Sequence, residues 1–82
     1  MNKKSLLTGL SLVLLAGPAL AFHCPADMQK IDAALAANPP LSQDQLAQVR
    51  QLRVLGEQYH RAGQHQQSVA TLGRAMRILS IQ

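Results

Sequence analysis

Two consecutive prolines, Pro39 and Pro40, divide the C-terminal part of this 82-residue chain into segments that one helix cannot span. Neither proline has an N–H to give a helical carbonyl, and Asn38 before them is pushed toward extended geometry. Helix signals stand on both sides of this break. Upstream, Pro25 suits a first helical position, Cys24 falls in the cap place before it, and Asp27 faces the positive end of the helix dipole. Met28, Ile31, Ala34 and Leu35 then recur at helical spacing. Downstream, Ser42-x-x-Gln45 reads as a capping box, with Leu41 and Leu46 at the positions of a hydrophobic staple. Leu46, Val49, Leu52, Gly56, Tyr59 and Gly63 step along one side at intervals of three and four, and Gly63 is the natural left-handed terminator. After it, Val69, Leu72, Ala75, Met76 and Leu79 form a third inward face. The expected fold is all-α, with helices over about 25–37, 42–62 and 65–80 and no strand.

The head of the chain has a different composition. Lys3 and Lys4 precede an apolar run from Leu6 to Ala16, Gly17-Pro18 breaks it, and Ala19-Leu20-Ala21 places small residues where a signal peptidase needs them. These are the three parts of a secretory signal peptide, with cleavage expected after Ala21. The run is too short for a membrane span, which takes about 20 apolar residues. Acylation of Cys24 is disfavoured because Phe22 and His23 stand where a lipoprotein signal has small residues. The mature chain expected is Phe22 to Gln82, one small domain of 61 residues, secreted into the bacterial periplasm and with no membrane anchor after cleavage. Its six basic and four acidic residues balance to +2, against +4 for the whole chain. With one Phe, one Tyr and no Trp it offers no platform on which bases would stack, so nucleic acid is not an expected partner.

Leu52-x-x-Leu55-Gly56-x-x-Tyr59, followed by Gly63, Ser68, Leu72 and Ala75, resembles the tetratricopeptide repeat at its consensus spacing. The resemblance covers one unit of roughly 34 residues, about 48–79. It departs in type, with Leu52 for the commoner Trp, Ser68 for Ala, Leu72 for Phe, and Ser80 where a terminal Pro usually sits. The resemblance implies an antiparallel helical hairpin whose small residues, at Gly56, Ser68 and Ala75, let the helices approach closely. A helical hairpin sharing those residues for packing reasons alone gives the same fold. Such units usually need about three stacked copies. The first helix is therefore expected to fold across the hairpin, with a homodimer, a bound partner or a metal as further sources of stability.

Side chains with chemistry are few. His23, Cys24, His60 and His65, with the α-amine freed on Phe22, are the candidate metal ligands, and soft sulfur beside imidazole suits copper or zinc. His60 and His65 flank the Gly63 turn and so sit at one end of the hairpin. Their spacing matches no zinc-finger pattern, and turn or surface histidines are the plainer reading. Cys24 is open to three readings: a capping thiol, a metal ligand, or the site of an intermolecular disulfide in an oxidising compartment. Glu57 and His60 share a helix at surface-contact spacing, and no nucleophile, phosphate loop or CxxC motif supports catalysis. Arg50, Arg53, Arg61, Arg74 and Arg77 form a basic set that is either a solvated face or a seat for an acidic peptide. The leading expectation is a non-enzymatic helical module binding another protein or its own copy. The alternatives are a metal-handling protein and, more weakly, a redox-responsive thiol-linked dimer.

Overall fold

The computed structural model describes residues 23–82. The expected signal peptide over 1–21 and the Phe22 amine lie outside the described residues. Within them the protein is all-α: α1 covers 23–36, α2 Gln43–Arg61 and α3 His65–Leu79, and there is no strand among the described residues. Among them, too, no helix is long and apolar enough to cross a membrane.

The start of α2 follows its sequence signature. Ser42 Oγ accepts from the Gln45 N–H at 3.1 Å, and Gln45 Oε1 accepts from the Ser42 N–H at 3.0 Å. Each side chain satisfies one backbone donor that the first helical turn leaves without a partner. The end of α2 is equally local. Gly63 adopts φ +77°, its N–H donates to the His60 carbonyl at 3.1 Å, and the Gln64 N–H donates to the Tyr59 carbonyl at 2.9 Å. That pair of bonds is a Schellman closure, which reverses the chain within residues 62–64.

Two expectations about α1 are corrected. Cys24 is not a cap before the helix, since the helical geometry already includes residue 23. Proline is tolerated anywhere in a first turn, so Pro25 does not mark the starting residue. Asn38 is not extended either. It takes φ +54°, the left-handed conformation that Asn tolerates at a helix end, and its N–H donates to the Leu35 carbonyl at 3.3 Å.

One apolar core joins the three helices: Cys24, Met28 and Ile31 from α1, Val49 and Leu52 from α2, and Leu72, Ala75, Met76 and Leu79 from α3. Between α2 and α3 the packing is tight at Gly56, where an added Cβ would lie 2.6 Å from Leu72 Cγ. No side chain fits there without displacing Leu72. Beside it, the buried Ser68 hydroxyl donates to the Gly56 carbonyl at 2.7 Å. Ser68 and Ala75 are small and fully buried, as a close crossing requires. Leu55 does not share this packing: it remains exposed beside Val54, because the buried stripe of α2 runs through Val49, Leu52 and Gly56.

Ion pairs tie α1 to α2 on the outside. Arg53 grips both Asp32 oxygens, Nε to Oδ1 at 2.9 Å and Nη2 to Oδ2 at 3.0 Å, and reaches Glu57 through Nη1 at 3.0 Å. Asp32 is the main cause that raises the Arg53 pKa above its ordinary value, against the lowering effect of burial. Glu57 is held below the usual carboxylate range, chiefly by the Arg53 hydrogen bond and then by the charge of Arg61. Glu57 thus pairs with Arg53 and Arg61. Of the basic set, Arg50, Arg74 and Arg77 remain exposed with no ion pair to another described residue.

Candidate metal centre

The site lies where the three buried stripes reach one end of the domain. On α1 the inward residues Ile31, Met28 and Cys24 climb toward the N-terminus; on α2 Val49, Leu52 and Gly56 lead to His60; on α3 Leu72 and Ser68 lead back to His65. Each step is three or four residues, so each stripe ends in a donor facing its neighbours. Two imidazoles and a thiol form the last layer of the core.

Cys24 is fully buried. Its Sγ donates to the His65 carbonyl at 3.9 Å, which links the start of α1 to the start of α3. The His60 and His65 rings meet edge to face, with centroids 5.2 Å apart and planes at 62°. Both rings are half-buried at the turn, yet their Nδ1 atoms are buried and have no hydrogen-bond partner among the described residues. A buried polar nitrogen without a partner is costly, which singles out these two atoms. One nitrogen of each imidazole and the Cys24 Sγ all lie within 4.8 Å of one another. Metal bonds of about 2.0–2.3 Å place donors up to roughly 4 Å apart. A group this tight could hold one metal ion if its donors closed by a few tenths of an ångström.

His23 does not join them. Its Nε2 lies 3.4 Å from Asp27 Oδ2, one turn along the same helix, and its side chain is 57 % exposed. Asp27 itself is buried and Thr71 lies in the α3 interface; the sequence reading placed neither inside. Thr71 precedes Leu72 and lies four before Ala75, a spacing that marks it as inward. The Cys24 burial also had a signal, since Cys24, Met28, Ile31 and Leu35 continue one helical stripe.

Fold and site together define a small all-α protein with one mixed thiol and imidazole group at the end of its core. The family model of the PA14_33160 family matches residues 22–82, and the chain belongs to that family. No curated protein and no solved structure matches it.

Proposed function

We propose that this protein handles a soft transition metal, held by Cys24, His60 and His65. The observation that carries the reading is the convergence of one donor atom from each of three helices within 4.8 Å, on two histidines whose buried Nδ1 atoms have no hydrogen-bond partner among the described residues. Soft sulfur with imidazole is a donor set for copper or zinc. The protein acts as a binder and carrier rather than an enzyme, and works after export, with residues 1–21 removed as a signal peptide. The family match beginning at Phe22 supports that boundary. Native mass spectrometry of the reduced protein, offered copper or zinc, tests the reading. One bound ion per chain, lost in Cys24→Ser, is the expected result. A chain that retains no ion of either metal contradicts it.

A second reading has its own support. The close approach at Gly56, with Ser68 and Leu72 packed against it, is the contact expected of a tetratricopeptide-like hairpin. Such a hairpin would bind another protein or a second copy of this chain. Sedimentation equilibrium of the metal-free protein tests the self-association branch: a species heavier than the monomer supports it, and a monomer at every concentration removes it.

A further inference from the structure

The metal reading above leaves the ion open, and the donor count, charge and burial of the site narrow it. Among the described residues no fourth His, Cys, Asp or Glu joins the group of Cys24, His60 and His65. Asp27, the carboxylate closest in sequence to Cys24, is turned to His23. A structural zinc site takes four protein ligands, and a catalytic one takes three and leaves an open position for water. Here Cys24 is fully buried, and the His60 and His65 rings are half-buried with both Nδ1 atoms shielded from solvent.

Charge points the same way. One thiolate and two neutral imidazoles carry a single negative charge, which a monovalent ion cancels. A divalent ion leaves a net positive charge beside a fully buried sulfur, and a charge left uncompensated is costly to the extent that it is buried. Divalent copper favours tetragonal nitrogen and oxygen sets or, on two His and one Cys, a site completed by a long axial ligand, whereas thiolate favours the cuprous ion. One soft thiolate and two imidazoles satisfy a three-coordinate cuprous ion without water. From these observations, and resting on the metal reading, we infer that the cargo of the site is monovalent copper, bound in three-coordinate form by Cys24 Sγ and one nitrogen each of His60 and His65. The half-exposed imidazole rings at the turn let the ion reach its donors from outside without opening the core.

The test is a pair of competitions on the purified, reduced protein under anaerobic conditions, one with cuprous ion against a chromophoric cuprous chelator, one with zinc against a zinc-binding dye. The expected result is one cuprous ion per chain and an affinity for zinc weaker by at least about a thousandfold, the equal of ~4 kcal/mol. Zinc bound as tightly as cuprous ion would overturn the inference while leaving the metal reading intact. Binding of neither ion would overturn both. His60→Gln and His65→Gln keep side-chain bulk and a polar tip at the turn, and each should weaken cuprous binding by more than about tenfold. Circular dichroism of each metal-free variant must show the wild-type helix content. A folded variant with unchanged cuprous affinity contradicts the assignment.

Discussion

The rings of His60 and His65 meet edge to face 5.2 Å apart across the Gly63 turn, each with a buried Nδ1 that no group among the described residues satisfies. The Schellman closure produces this meeting, because it joins the last turn of α2 to the first residue of α3 through only three residues. Gly63 at φ +77° makes the closure possible, and a residue with a Cβ is strained there. Replacing Gly63 with Val should therefore loosen the pair of rings and weaken metal binding along with stability. Titration of the variant checks this, and wild-type affinity would contradict it.

A site closed across the fold differs from a local chelate at the mature N-terminus. His60→Ala and His65→Ala should each abolish tight binding, whereas His23→Ala should leave affinity within a few-fold, since His23 faces Asp27 and solvent. Calorimetric titration of the three variants decides between them. Loss with His23→Ala and retention in the other two would place the ion on the N-terminal residues instead.

Gly56→Leu should cost roughly 1–3 kcal/mol by overpacking the crossing. Even a methyl group meets Leu72 there, with Cγ 2.6 Å from the added atom. Ser68→Ala, which removes the 2.7 Å bond to the Gly56 carbonyl, should cost about 1 kcal/mol. Denaturant midpoints of the metal-free proteins measure both. A Gly56→Leu midpoint equal to wild type would mean that the helices do not approach as described.

Much of this packing can be read in the sequence, and the reasons for the misses are local. The α2 start was legible because Ser42 and Gln45 act through bonds within one turn. Gly63 was legible because a left-handed terminator is a property of a single residue. Cys24 and Asn38 misled because each sits beside a proline, whose ring constrains its own φ but leaves open which neighbour begins or ends the helix. Leu55, a motif position of the repeat it resembles, stays exposed because it lies one position off the stripe of Leu52 and Gly56. The site was half legible: the turn makes His60 and His65 neighbours, but only the docking of α1 adds Cys24 and leaves His23 outside.

The Arg53 cluster predicts the acid limb of stability. A carboxylate whose native pKa is lowered stabilises the fold fully above its unfolded value and loses that contribution as pH falls through the native one. Glu57, lowered by Arg53 and Arg61, should follow this course below the ordinary glutamate range of about 4.3. The urea midpoint of metal-free protein should therefore fall as pH drops from about 5 toward about 3, and Arg53→Gln should flatten the fall. An equal fall in the variant would show that other groups carry the acid sensitivity.

Full burial of Cys24 bears on the thiol-linked dimer. A disulfide to a second copy requires α1 to leave the core, so protein taken from its native compartment should run as a monomer on non-reducing gels. A dimer band abolished by Cys24→Ser would show that α1 opens readily and that the thiol is used for crosslinking.

X-ray absorption at the copper edge of the loaded, reduced protein tests the central claim most directly, because it counts the donors by element and distance. The expected first shell is one sulfur and two nitrogens, at bond lengths close to the roughly 2.3 Å and 2.0 Å that thiolate and imidazole make to zinc, with no further strong scatterer. A first shell without sulfur, or one of four nitrogen and oxygen donors, would contradict it.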